Sequence, residues 1–163
     1  MIIISHHHND DFERFAFFVL PTNTSGSVSI PLSASPTTLA TITIHSDRDD
    51  VVFLTGTVGW RAVTNGTGLS KANVLFQIRR NAVGGSLIFS ADDSGEANGD
   101  NNRVTSFNHV DTSITSRTTY FLTAQLTDAG SAATVIGPIT FTATEIEFHH
   151  DTDCDCDSDS DLC

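Results

Sequence analysis

Between Ser27 and Glu147 no window places apolar residues at i, i+3, i+4 and i+7, so an amphipathic helix has no face to bury there. What the segment carries instead is alternation. It is plainest in Thr41-Ile42-Thr43-Ile44, in Val74-Leu75-Phe76-Gln77-Ile78 and in Tyr120-Phe121-Leu122-Thr123-Ala124-Gln125-Leu126, where one parity is more apolar than the other. A strand with one face in a core and one face in water has that pattern. The parity predicts that Ile42, Ile44, Leu54, Val58, Phe76, Ile78, Leu122 and Leu126 point inward.

Eight strands are expected, at about 27–33, 38–45, 50–60, 72–80, 86–91, 102–114, 117–127 and 133–147. The breaks have turn chemistry: Asp47 to Asp50, Asn65-Gly66-Thr67-Gly68, Gly84-Gly85, Ser94 to Asn102 and Asp128-Ala129-Gly130. Pro138 lacks an N–H for the ladder and predicts a bulge or an edge inside the last strand. Eight short strands in about 120 residues fit an antiparallel jelly-roll sandwich, with an immunoglobulin-like sandwich as the alternative. The expected organisation is an extended N-terminal arm (1–26), a β-sandwich domain (27–147) and an acidic, Cys-containing tail (148–163).

The formal charge of −12 disfavours nucleic acid and anionic membranes as partners, because both are held by clustered Lys and Arg. Residues 147–163 contribute seven carboxylates and no Lys or Arg, so the charge is concentrated in the tail. No stretch reaches the ~20 apolar residues of a membrane span, and no basic region followed by a long apolar one opens the chain. Export through an ordinary signal peptide is therefore not expected.

The arm holds Phe12, Phe15, Phe17 and Phe18 within seven residues, a hazard if exposed, and is expected to serve assembly. In the tail, Cys154, Cys156 and Cys163 read as crosslinks between chains or as inert thiols, and a third reading makes His149, His150, Cys154 and Cys156 a zinc site whose spacing is not that of a paired knuckle. The spacing of Cys154 and Cys156 makes a bridge to each other difficult, and the odd count leaves a thiol for a partner.

No catalytic apparatus is legible and no cofactor is expected. There is no G-x-S-x-G elbow, and His45 and His109 are the only histidines of the body. His109 and Asp111 suit a surface contact better than a dyad, and Asp92-Asp93 with Glu96 suit a solvated loop. Trp60 reads as core or inter-subunit packing before a sugar platform. Asn23-Thr24-Ser25 and Asn65-Gly66-Thr67 match the N-glycosylation pattern, which is short and frequent by chance.

Four segments, Val52-Phe53-Leu54-Thr55-Gly56-Thr57-Val58-Gly59-Trp60, Val74-Leu75-Phe76-Gln77-Ile78-Arg79-Arg80, Thr105-Ser106-Phe107 with Val110-Asp111, and Gly137-Pro138-Ile139-Thr140-Phe141-Thr142-Ala143, resemble surface proteins of spore-forming Firmicutes over roughly residues 27–147. The resemblance implies a jelly roll of the exosporium type, with a tumour-necrosis-factor-like head, or of the endospore-appendage type, stacked through an N-terminal arm and inter-subunit disulfides. It implies partners in copies of the chain and in other spore-surface proteins, and a place on the spore surface reached by lysis of the mother cell. This chain departs from the appendage pattern in having no Cys in its arm and all three at the other end. A carbohydrate- or receptor-binding jelly-roll head is the alternative function.

Overall fold

The computed structural model describes residues 2–5, 14–46, 50–64, 71–97 and 102–146, with residues 2–5 described in their backbone only. Ten strands run through them: β1 (Ile2–Ser5), β2 (Arg14–Val19), β3 (Ile30–Pro31), β4 (Thr37–His45), β5 (Val51–Ala62), β6 (Lys71–Arg80), β7 (Ser86–Glu96), β8 (Arg103–Asp111), β9 (Arg117–Leu126) and β10 (Ala133–Ile146). No helix occurs among the described residues.

The pairing defines the topology. Setting aside β1 and the two-residue β3, the first remaining strand pairs with the last (β2 with β10), the second with the seventh (β4 with β9), the third with the sixth (β5 with β8) and the fourth with the fifth (β6 with β7). This is one long antiparallel ribbon, rolled so that β10 also pairs with β5 and β9 with β6. Two sheets result, β1-β2-β10-β5-β8 with β3 on β10, and β4-β9-β6-β7. The chain is a jelly roll.

All eight residues expected inward lie in the core, and none exceeds 7% exposure. Trp60, Tyr120 and Phe141 are fully covered beside them. Phe107 folds its ring across Gly56, its cross-strand partner, and stacks on Phe89 at 5.1 Å. A Cβ at position 56 would run into that ring, so glycine is required there.

Pro138 sits in the expected bulge. Between Val135 and Ile139 the register of β10 with β5 shifts, and Gly59 faces the displaced Gly137 carbonyl so closely that no Cβ fits. The gap in the ladder is filled from the loop before β3. Asn23 Oδ1 accepts from the Ile139 N–H at 2.7 Å, and Gly26 N–H donates to the Ile136 carbonyl at 2.9 Å.

The N-terminal boundary needs correction. Residues 14–19, expected in an extended arm, are the first strand of the jelly roll, with Ala16 in the core and Phe18 packed against it. The run is apolar on both parities, so alternation does not mark it. Two further boundaries differ. Only Ile30–Pro31 of the segment 27–33 is strand, because turn bonds such as Ser27 N–H to the Thr24 carbonyl hold the chain before it. β7 extends to Glu96, so Asp92, Asp93 and Glu96 lie on an edge strand rather than in a loop.

Candidate functional site

Register places the side chains on the outer face of the first sheet. Because cross-strand partners share a face, the rows Phe15–Thr144–Phe53–Val110, Phe17–Thr142–Thr55–Asn108 and Val19–Thr140–Thr57–Ser106 run across β2, β10, β5 and β8. Phe15 and Phe17 stack with ring centroids 5.6 Å apart, and Val19 is 44% exposed. Beside them the hydroxyls pair off: Thr55 Oγ1 with Thr142 Oγ1 at 2.7 Å, and Thr57 Oγ1 with Ser106 Oγ at 3.1 Å. The β2 side of this face is therefore apolar, hydroxyl pairs follow across β10, β5 and β8, and β8 adds exposed Val104 and Val110.

Of the assembly phenylalanines read from the sequence, Phe15 and Phe17 are on this face, whereas Phe18 turns into the sandwich. Phe12 lies outside the described residues, as do Cys154, Cys156, Cys163, His149 and His150. Among the described residues no three of His, Cys, Asp and Glu gather where one cation could sit.

A second surface feature is a cleft of about 290 Å³ between β6, β7 and the end of β9, lined by Asn73, Asp92, Asp93, Ser94 and Thr127. Asp93 is committed to the protein. Its carboxylate accepts from Thr105 Oγ1 at 2.6 Å and from the Ser94 N–H at 2.8 Å, with Arg103 at 3.5 Å. Thr105 in turn accepts from the Trp60 indole N–H at 2.8 Å, which places Trp60 in the core and away from any sugar platform. A cleft of similar size, about 280 Å³, lies by Ser25, Gly26, Val28, Ser29, Arg61 and Asn102.

The interior is polar at one end. On the inward face of the first sheet Asp111, Val52 and Glu145 form a row, all buried, and Arg14 reaches Glu145 at 3.4 Å. From the other sheet Arg80 Nη2 meets Asp111 at 2.6 Å and the Tyr120 hydroxyl donates to it at 2.9 Å, while the Ser113 N–H donates at 3.1 Å. Arg80 also donates to the Ser113 carbonyl. Burial first, and then the Asp111 charge, hold the Tyr120 phenol far above its ordinary value.

Asp111 is therefore buried and not the exposed contact expected from the sequence. A carboxylate engaged by a guanidinium, a phenol and an amide ties the two sheets together. His109 packs its ring on Phe89, 5.9 Å away. Nothing in the sequence announces the Arg80–Asp111 meeting, since 31 residues separate the two. Asn23 of the first glycosylation motif has both ends of its amide bound, Nδ2 to Thr140 Oγ1 at 2.8 Å and Oδ1 to Ile139 N–H, so its amide is structural.

No family model matches the chain, and no curated protein matches it. Among solved structures it is similar to infectious bursal disease virus, Gx strain, at 16% identity and a TM-score of 0.47 over 91% of this chain and 42% of that one. The chain thus spans less than half the length of that protein. It is also similar to a CBM4 structure (9% identity, TM-score 0.41, 79% of this chain and 70% of that one). A third likeness is to the CBM22-1 xylan-binding domain of Xyn10C from Paenibacillus barcinonensis (12% identity, TM-score 0.36, 82% and 87%). The strand pairing, independently of these likenesses, establishes the jelly roll.

Proposed function

We propose that the chain is a non-catalytic structural module that assembles with copies of itself into a surface layer or appendage of the spore-surface kind. The observation that carries this reading is the outer face of the first sheet, where Phe15 and Phe17, half-buried and stacked on each other, adjoin exposed Val19. Burying such a stripe against a partner contributes about 25 cal/mol per Å² of apolar area removed from water. The spore setting rests on the sequence resemblance, and the role of Cys154, Cys156 and Cys163 as crosslinks belongs to the same proposal.

The test is sedimentation of the full chain against F15S/F17S. The wild type is expected to exceed its 17.5 kDa monomer mass, and the variant to fall toward it with an unchanged β signature in circular dichroism. A monomeric wild type, or a variant that assembles equally well, overturns the reading.

A second reading, a carbohydrate-binding head, draws on the cleft by Asp92. Asn, Asp, Ser and Thr side chains around about 290 Å³ are the groups that hydrogen-bond sugar hydroxyls. Glycan-array binding lost on Asp92→Ala would favour it over self-assembly.

A further inference from the structure

Sheet edges are where jelly rolls invite pairing, and natural proteins blunt them with charge, bulges or brevity. β7 carries Asp92, Asp93 and Glu96 and shifts register against β6; β4 shifts register against β9; β1 has four residues. β8 has no bulge and is not short, and its charges stand only at its two ends, Arg103 and Asp111. It pairs with β5 without a register break from Asp111 to Arg103, contains no Pro or Lys, and among the described residues has no strand on its other side. Its outward residues are Val104, Ser106, Asn108 and Val110, and the two valines, 60% and 46% exposed, are among the most exposed large apolar residues described.

The sequence of β8 complements itself when reversed about Phe107. Val104 then faces Val110, Ser106 faces Asn108, Thr105 faces His109 and Arg103 faces Asp111. Apolar meets apolar, polar meets polar, and the only charges oppose in sign. Asp111 is already held by Arg80, so the end pair contributes compatibility of sign rather than a new bond.

We propose that β8 is the docking edge for a second copy of this chain, paired antiparallel about Phe107 into one sheet that runs through both molecules. The contact is two-fold and closed, each valine covering its counterpart on the same outer face that carries the Phe15–Phe17 stripe. The proposal rests on the self-assembly reading and names its first partner contact.

The experiment measures the mass of the full chain by light scattering, in wild type, V104K/V110K and V104K/V110E. In the first variant every Lys faces a Lys across the two-fold; in the second every Lys faces a Glu. Both positions are exposed, so the fold is not at stake. The dimer of about 35 kDa, twice 17.5 kDa, is expected to fall to monomer in V104K/V110K and to return in V104K/V110E. Wild-type mass in V104K/V110K, or two equally monomeric variants, overturns the proposal. If F15S/F17S disperses assemblies that V104K/V110K leaves intact, edge pairing falls and self-assembly stands. A monomeric wild type whose β8 amides resist hydrogen exchange overturns both, giving the edge to another segment of the same chain.

Discussion

Tyr120 on β9 donates its hydroxyl to Asp111 on β8 over 2.9 Å, a bond that crosses from one sheet to the other at the polar end of the sandwich. Neither group is exposed, and Arg80 approaches the same carboxylate from β6. Tyr120→Phe removes the donor and leaves the ring in place. A hydrogen bond to a buried charge is worth about 2 kcal/mol, so urea unfolding is expected to show a loss of that size with an unchanged m-value. A loss within error would mean that the phenol contributes only its ring.

Burial of the same phenol, and after it the Asp111 charge, sets the alkaline limit. The folded phenol is held protonated while the unfolded one ionises near pH 10, so above that pH the unfolded state binds fewer protons. Stability is therefore complete below about pH 10 and falls by about 1.4 kcal/mol per pH unit above it. Tyr120 is the only tyrosine, so tyrosinate absorbance reads it alone. The signal is expected to appear only with unfolding, and Tyr120→Phe should remove this phase of the alkaline loss.

How much of this was legible in the sequence follows from what periodicity can carry. Ile42, Ile44, Phe76 and Leu122 sit in strands with one wet face, and there parity alone sets direction. Pro138 is legible for a local reason, its missing N–H. β2 is not, because Phe15 and Phe17 cover the outer face with the same kind of side chain that Ala16 and Phe18 place inside. The stretch Asp92 to Glu96 looks like a loop because an edge strand needs little apolar surface. The outer-face stripe was legible only as a cluster of phenylalanines, since register decides which of them face out.

Gly56→Ala tests the contact that closes the β5–β8 side of the core. The added Cβ would strike the Phe107 ring, and overpacking of this kind costs about 1–3 kcal/mol. In a Phe107→Ala background the same methyl has room. The double-mutant cycle is therefore expected to show a coupling energy close to the single-mutant cost of Gly56→Ala. Simple additivity would place the ring elsewhere.

The last prediction decides whether β2 is an arm or a strand. β2 pairs with β10 from Val19–Thr140 to Phe15–Thr144, buries Ala16 to 1% exposure, packs Phe18 against the core and brings Arg14 to buried Glu145. Deleting residues 1–20 would leave that stretch of the β10 edge unpaired, uncover apolar surface beside Phe141 and Ala143, and withdraw a cation from a buried carboxylate. The lost strand pairing and burial weigh against the roughly 5–15 kcal/mol that holds a typical domain together, and the part-exposed Arg14–Glu145 pair adds a smaller share. Deletion of 1–20 is expected to abolish cooperative thermal unfolding, whereas deletion of 1–13, which spares β2, should preserve it. Ala16→Leu, which overfills the same site in the full chain, should destabilise by about 1–3 kcal/mol. If 21–163 melts cooperatively with the wild-type β signature, β2 is an arm that the sandwich does not need, and the jelly roll closes without its first strand.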